Sequence, residues 1–429
     1  MTTHVVRSGD SLYSISTRYG VPVDRIVAAN GLGSLPFLVP GQVLVIPSQE
    51  KPYTVRPGDT LYTIARRNNV SVDAIIRLNA LQNADQLTPG MVIRIPEVSQ
   101  NYGTIEVNGY LEPSTPEVET RIVNEVGQYL TYIAPFSYQV SADGTFAPIV
   151  DQPMLNAGRR FRVAPLMVIT NFQDGNFSTP LVDSLLNDDA AQNTLIQNVL
   201  QNMRTKGYYG LNIDFERISP QNREAYNAFL RKVVAALRPQ GFPTAVCLAP
   251  KTSGYAEGAW HGAHDYPAVG QIVDFVILMT YEWGWSGGPP YAVAPVDQVE
   301  AVVRYAVSVM PANKVMMGMP LYGYDWQLPY MPRGPWARRV SPVEAVAIAA
   351  RYGAQIEFDA KTQSPFFNYT GEGGQQHVVW FEDARSVRAK LLLVNRYGLR
   401  GVSYWVLGVP FPQNWLVLSD MFNIEKVVP

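Results

Sequence analysis

From Thr104 onward the chain alternates short apolar runs with longer amphipathic stretches. The runs Ile105–Leu111, Tyr132–Tyr138, Leu166–Phe172, Tyr209–Phe215, Ala245–Ala249, Phe275–Tyr281, Val315–Leu321 and Val402–Val406 have the length and apolar content of buried strands. Apolar positions recurring at helical spacing predict helices over Pro116–Leu130, Leu181–Arg204, Asn222–Leu237, Val296–Val309 and Ala384–Tyr397. Eight strands with helices between them over roughly 320 residues predict an α/β chain folded as a (β/α)8 barrel, whose usual core is about 250 residues plus insertions. A doubly wound open sheet is the competing arrangement, but no G-x-G-x-x-G follows the first strand. The stretch from about 327 to 382 is too long for a strand-to-helix loop. It holds a predicted helix (Pro342–Tyr352) and strand-like runs (Ile356–Phe358, Phe366–Tyr369, His377–Trp380), so a small α+β insertion is expected there.

The first hundred residues follow a different rule. Residues 4–47 and 53–96 align without a gap, and 20 of the 44 positions are identical. Val6-Arg7-x-Gly9-Asp10-x-Leu12-Tyr13-x-Ile15 recurs as Val55-Arg56-x-Gly58-Asp59-x-Leu61-Tyr62-x-Ile64, and Pro40-Gly41-x-Val43-x-x-Ile46-Pro47 recurs as Pro89-Gly90-x-Val92-x-x-Ile95-Pro96. Each unit reads as strand, turn, helix, helix, turn, strand, a βααβ module. A Gly-Asp turn precedes a Ser or Thr that can cap the first helix, and the second helix ends near Asn30 or Asn79. Leu12, Ile15, Ile26, Leu32 and Ile46 are expected in the core. The expected units are therefore 1–49, 50–98 and 103–429, with Lys51-Pro52 joining the repeats and Glu97 to Gly103 leading into the barrel.

Composition narrows the function classes. Charged residues are 16% and apolar residues 47% of the chain, against about 25% charged in ordinary globular proteins, so long disorder is excluded. The formal charge of −2 gives no case for nucleic-acid binding. The single cysteine, Cys247, allows no intrachain disulfide and sits among apolar neighbours, as a buried strand thiol would. The N-terminal residues lack the apolar core of a secretory signal, and no run approaches the roughly 18 apolar residues of a membrane span.

Candidate chemistry lies at the end of the fourth predicted strand, in Asn212-Ile213-Asp214-Phe215-Glu216. Alternation puts Asn212, Asp214 and Glu216 on one face and Leu211, Ile213 and Phe215 on the other. Polar groups on a buried face are costly unless bonded or functional, and barrel active sites form at the C-terminal ends of strands. A solvated loop carboxylate beside a satisfied buried aspartate is the plain alternative. His261, His264 and Asp265 offer too few converging ligands for a metal cage, so no metal is expected.

The two repeats resemble LysM domains, which bind polymers containing N-acetylglucosamine such as peptidoglycan and chitin. That resemblance places glycan contacts between the Gly-Asp turn and the loop leading to Pro-Gly, at Gly9, Asp10, Ser11 and Leu12 and again at Gly58, Asp59, Thr60 and Leu61. The fourth-strand segment resembles the D-x-x-D-x-D-x-E motif of glycoside hydrolase family 18, with Tyr209 at its first position and Asn212 ahead of the retained Asp214 and Glu216. Met279-Thr280-Tyr281-Glu282, Gly318-Met319-Pro320-Leu321-Tyr322-Gly323 and Gly401-Val402-Ser403-Tyr404-Trp405 resemble that family's sixth, seventh and last strands. The combination resembles the spore cortical-fragment-lytic N-acetylglucosaminidases of endospore-forming bacteria.

The resemblance implies a retaining glycosidase that needs no cofactor. Glu216 would act as acid and base, Asp214 would hold the acetamido N–H of the cleaved sugar, and Tyr281 its carbonyl oxygen. Asn212, Met279, Glu282, Tyr322 and Trp405 would contact substrate, with Trp405 as an aromatic floor and the Asn212 amide donating to Asp214. Trp283, Trp285 and Trp326 are weaker candidates to line the groove. Peptidoglycan, in particular spore cortex strands, and N-acetylglucosamine oligomers are the expected partners of a monomer that binds neither nucleic acid nor membrane. A chitinase is the second reading. A silent glycan-binding protein is the third, and the presence of Glu216 argues against it. The expected location is the spore coat or cortex, reached from the mother cell without a signal peptide, with activity during germination.

Overall fold

The structure, a computed structural model, describes residues 1–33, 37–47, 50–68, 70, 72–79, 81, 87–96, 101–254, 258 and 260–428. Eight parallel strands close into a barrel: Thr104–Leu111, Tyr132–Pro135, Ala164–Thr170, Gly210–Asp214, Thr244–Leu248, Phe275–Leu278, Val315–Pro320 and Gly401–Trp405. The eighth strand pairs with the first, Ser403 beside Asn108, which closes the ring. These strands are the predicted ones: most end one to three residues earlier than expected, and the first, third, fifth and eighth also begin one or two residues earlier. Continuous apolar runs are what strands buried on both faces require. Tyr110, Tyr132, Val168, Cys247, Phe275 and Met316 belong to the cluster inside the barrel, while Leu211, Ile213 and Phe215 pack outward beneath the helices.

Two helical expectations change. The stretch Leu181–Arg204 folds as two helices, Thr179–Leu186 and Asp189–Lys206. Asp188 divides them, because its carboxylate accepts from the Ala190 and Ala191 N–H groups (2.9 and 3.0 Å) and starts the second helix. Pro116–Leu130 ends as an α-helix at Val126 and closes with a 3-10 turn. Helices Gln152–Arg159, Tyr266–Ile272 and Pro412–Met421 complete the outer ring and were not expected.

The insertion after the seventh strand is a five-stranded antiparallel sheet with helix Pro342–Tyr352 against it. Its first strand is Gly323–Leu328, ahead of the expected start near 327. The repeats fold as βααβ units with separate cores around Ile15 and Ile26 in one, and Ile64 and Ile75 in the other. Asn30 and Asn79 play the same part in each. Asn30 joins the end of the second helix to the closing strand by bonds to the Ile26 and Val45 carbonyls (both 2.8 Å) and from the Val45 N–H (2.7 Å), and Asn79 repeats this with Ile75 and Arg94. Lys51 and Pro52 are not a joint but part of the opening strand Glu50–Thr54. Of the expected linker, Glu97 to Gln100 lie outside the described residues.

The first repeat is fastened to the barrel. Gln413, in the last helix, donates to Asn30 Oδ1 (2.7 Å) and the Val43 carbonyl (2.9 Å). Ile356 of the insertion donates to the Pro40 carbonyl (3.0 Å), and Val39 is buried in the insertion's own core. Gly41 is required at this junction: its φ is +85°, and a Cβ there would lie 1.8 Å from the Ile356 carbonyl oxygen. The second repeat rests its helix Val72–Leu78 against the last helix and the strand Asn423–Ile424, beside a groove of about 460 Å³ lined by Tyr62, Arg66, Arg162 and Lys426.

Candidate active site

The fourth strand carries Asn212 and Asp214 into the barrel and sets Glu216 just beyond its end. Asp214 pairs with Thr170 of the third strand, and Leu211 to Ile213 pair with Thr244 to Val246 of the fifth. Asn171, buried one residue past Thr170, fixes the backbone of Glu216. It accepts from the Glu216 N–H (2.9 Å) and donates to the Glu216 carbonyl (2.8 Å). Arg217 follows with φ +56° and Glu282 stands at φ +67°, left-handed backbone that bulky side chains adopt at a cost and that gathers at functional sites.

Asp214 is 5% exposed, and its Oδ1 has no hydrogen-bond partner among the described residues. Burial holds its carboxyl above the usual carboxylate range, with the nearby Cys247 thiol pulling the other way. Burial, followed by the negative charge of Asp214, pushes Glu216 up as well, opposed by a hydrogen bond from Trp260 and the charge of Arg217. Two adjacent carboxyls of this kind release their protons in linked steps. The Tyr281 phenol is held well above its ordinary value by burial and by the charges of Cys247, Asp214, Glu216 and Glu282, so it remains a proton donor. Gly318 of the seventh strand makes its room, since a Cβ there would lie 2.8 Å from the Tyr281 ring.

Around this trio the other candidates divide. Glu282 accepts from the phenols of Tyr322 and Tyr324 (3.0 Å for Tyr324). Trp405 is half-buried, edge-on to Phe136 and Tyr110 with ring centres 4.7 and 5.6 Å away. Met279 is buried in the inner cluster, and Tyr209 rests on Tyr132 at 5.9 Å. Trp285 is exposed and Trp283 half-buried, while Trp326 is 2% exposed with its N–H on the Gly288 carbonyl (3.0 Å), so it does not face a groove. Asn212 departs from expectation. It is fully buried, and its amide donates to the Tyr110 phenol (2.9 Å) and Cys247 sulfur (3.5 Å) rather than to Asp214. A β-strand alternates its side chains, so two residues on one face lie about 7 Å apart along the strand and a short amide reaches its cross-barrel neighbours first. His264 accepts from the Ala249 N–H (2.8 Å) and donates to the Phe215 carbonyl (3.2 Å), which accounts for both ring nitrogens.

Residues 166–409 match the family described as Glycosyl hydrolases family 18, and residues 4–47 and 53–96 each match the LysM domain. The chain belongs to glycoside hydrolase family 18. It is 49% identical over 431 residues to the cortical fragment-lytic enzyme of Bacillus subtilis (strain 168), covering 99% of each chain. The crystal structure of the Bacillus cereus spore cortex-lytic enzyme SleL matches with TM-score 0.85 at 43% identity, covering 99% of this chain and 98% of that one. A Chromobacterium violaceum chitinase matches with TM-score 0.68 at 26% identity, over 74% of this chain and 98% of that one. This family 18 chain is a glycosidase with two LysM domains ahead of its barrel.

In the LysM domains of this family 18 glycosidase, most of the expected contact residues hold the turn together. Asp10 accepts from the Arg7 N–H (2.8 Å) and bonds His4 Nε2 (2.9 Å). Asp59 accepts from the Arg56 N–H (2.9 Å), the Tyr53 phenol (2.7 Å) and Arg67 (2.6 Å). Both carboxyls are held below the usual range, first by the backbone hydrogen bond. Ser11 caps its helix in a reciprocal box with Ser14, and Thr60 pairs likewise with Thr63. Leu61 is core and Leu12 packs against core. Gly9 and Gly58 are exposed at the turn. Asn171, Tyr110, Trp260 and Tyr324 were not singled out from the sequence. Only Asn171 carried a signal, as a polar residue at the C-terminal end of an apolar strand.

Proposed function

We propose that this glycosidase hydrolyses the bond following N-acetylglucosamine in peptidoglycan, spore cortex fragments in particular, with retention and with the substrate's acetamido group as nucleophile. The observation that carries this reading is the carboxyl pair at the barrel mouth, Asp214 buried and Glu216 half-buried, with the Tyr281 phenol beside it. A carboxyl held above its ordinary range keeps its proton near neutral pH, which is what a general acid needs. Glu216 protonates the departing glycosidic oxygen. The acetamido carbonyl oxygen closes on the anomeric carbon, giving a positively charged oxazolinium ring. Asp214 holds the ring's N–H and balances its charge, and the Tyr281 O–H orients the acetamido oxygen. Glu216, now ionised, takes a proton from water, which opens the ring from the face the leaving group vacated. Trp405 supplies the apolar floor for the sugar, and Glu282 with Tyr322 flanks it. The full-length relatives named for cortical fragments support the cortex as the source of substrate, and the likeness to a chitinase favours chitin as the second reading.

Side-by-side mass spectrometry of products from purified cortex fragments and from chitin oligomers separates the two polymers. Faster release from chitin overturns the cortex assignment. Glu216→Gln keeps the shape and removes the acid, so turnover should fall by about 10²–10⁴-fold while glycan binding persists. Substantial turnover in that variant removes Glu216 from the mechanism. We further propose that the protein is a monomer held in the spore coat or cortex and active in germination. Sedimentation of the purified chain tests the first claim, and antibody detection in fractionated spores and vegetative cells tests the second.

A further inference from the structure

We propose that Asn171 and His264 are positioning residues for Glu216, their side chains holding the main chain that carries Glu216 past the end of the barrel's ladder of strand pairs. The inference rests on the reading of Glu216 given above. On one side the fourth strand pairs as far as Asp214 with Thr170, and on the other as far as Ile213 with Val246. Phe215 and Glu216 lie beyond both registers, so their main-chain groups need other partners.

Side chains supply them. His264 donates from Nε2 to the Phe215 carbonyl (3.2 Å). Asn171 accepts from the Glu216 N–H (2.9 Å) and donates to the Glu216 carbonyl (2.8 Å). Arg217, the left-handed residue that follows, has its carbonyl bonded by the Thr179 hydroxyl. Both positioning residues are themselves fixed. Asn171 is fully buried, and its amide also donates to the Ser178 carbonyl (3.1 Å). His264 is 1% exposed and joins two strand ends, because its Nδ1 accepts from the Ala249 N–H (2.8 Å) just past the fifth strand. The Ala249 carbonyl accepts from the Tyr266 phenol (2.7 Å), and the His264 carbonyl from Lys251 Nζ (3.0 Å).

These partners fix the tautomer of the ring. A main-chain N–H only donates and a carbonyl only accepts, so His264 carries its proton on Nε2 and leaves Nδ1 bare. A second ring proton would break the bond from Ala249. Burial keeps it away by pushing the ring's pKa down to about 4, with the Phe215 bond acting against it and the charges of Lys251 and His261 with it. Tyr226, on the helix Arg223–Leu237, faces the ring with centres 6.1 Å apart, and Asp265 is engaged by Arg223 (2.8 Å).

Two amides at position 264 separate positioning from plain support in the full-length enzyme. A glutamine amide reaches the place of Nε2, and an asparagine amide that of Nδ1. His264→Gln should keep the bond to Phe215 and most of the wild-type kcat on cortex fragments. His264→Asn should keep only the bond to Ala249 and lower kcat by about 10–10²-fold with KM unchanged, the size expected for a slightly misplaced acid. Asn171→Asp, which loses the donor to the Glu216 carbonyl, should lower kcat in the same way. In a Glu216→Gln background neither His264→Asn nor Asn171→Asp should reduce the residual turnover further, because nothing is left to position. Equal losses in His264→Gln and His264→Asn, or losses that persist in the Glu216→Gln background, overturn the proposal. Nitrogen-15 NMR reads the ring without any activity, the His264 signals being assigned by their loss in His264→Gln. A neutral ring protonated on Nε2 is expected near neutral pH, and a proton on Nδ1 overturns the proposal. Full turnover in Glu216→Gln instead defeats the underlying reading of Glu216, and the tautomer still decides whether His264 holds the two strand ends.

Discussion

Two kinds of aspartate serve two regions of this molecule. In the Gly-Asp turns of the repeats, Asp10 and Asp59 each gather a backbone N–H and one or two side-chain partners, and their carboxyls ionise more readily than usual. In the barrel mouth, Asp214 is buried with one oxygen unpartnered among the described residues and holds its proton longer than usual. A carboxylate whose lone pairs are all matched by nearby donors holds a fold in place. One taken from water without a cation beside it is unstable as an ion, and that instability can be discharged against a charge developing on substrate. The same residue type is a rivet in one region and a reagent in the other.

The largest test of that contrast is Asp214→Asn, which should lower kcat/KM on soluble cortex fragments by about 10²–10³-fold, the range for removing one electrostatic stabiliser. Because the charge of Asp214 raises Glu216, the same variant should move the alkaline limb of the pH profile to lower pH. Asp10→Asn and Asp59→Asn should leave turnover of soluble fragments within about twofold.

Stability should sort the two regions with opposite signs. A carboxyl raised on folding contributes stability that is present below the unfolded carboxylate range, about pH 4, and is lost as pH rises through its folded value. Asp214→Asn should therefore be more stable than wild type at pH 8, by on the order of 1 kcal/mol or more, with the gap closing toward pH 4. A carboxyl lowered on folding behaves the other way, so Asp59→Asn should be less stable than wild type at neutral pH, and calorimetry should show that difference vanish as the pH falls below about 4.

A smaller effect tests whether a turn's influence stays local. Gln413→Ala removes two bonds between the last helix and the first repeat and should cost about 1–2 kcal/mol. Amide exchange should then show the first repeat opening apart from the barrel. The smallest effect is expected from Asp59→Asn on the barrel itself, where amide exchange should be unchanged while the second repeat exchanges faster.

The barrel was legible because strands covered on both faces leave unbroken apolar runs in the sequence, and Asp214 and Glu216 stood out as polar residues at the end of one of them, whereas Tyr281 was reached only through the family resemblance. The helix break at Asp188 was hidden, because a capping aspartate within an amphipathic stretch resembles any exposed acidic residue. Cys247 looked inert for a related reason. Its apolar neighbours report burial, whereas its bonds to Tyr110 and Asn212 depend on how the strands of the barrel sit beside one another. Asp10 and Asp59 look the same in sequence whether they brace a turn or meet a ligand. The seating of the first repeat depends on Gln413, 383 residues from Asn30, a separation over which local pattern carries no information.

That seating redraws which parts of the chain are interchangeable. Two repeats of one design invite treatment as a matched pair of grafts, to be removed or exchanged together. Yet Val39 is buried in the insertion's core, and Gly41 lies under a backbone carbonyl that a side chain there would strike. A chimera that replaces the first repeat strips a surface the catalytic body is built to cover, and its donor must bring a glycine at that position and an asparagine for Gln413 to grip. The second repeat touches the barrel mainly through its helix Val72–Leu78, against the last helix and the strand Asn423–Ile424, beside an open groove, and is the easier cassette to exchange.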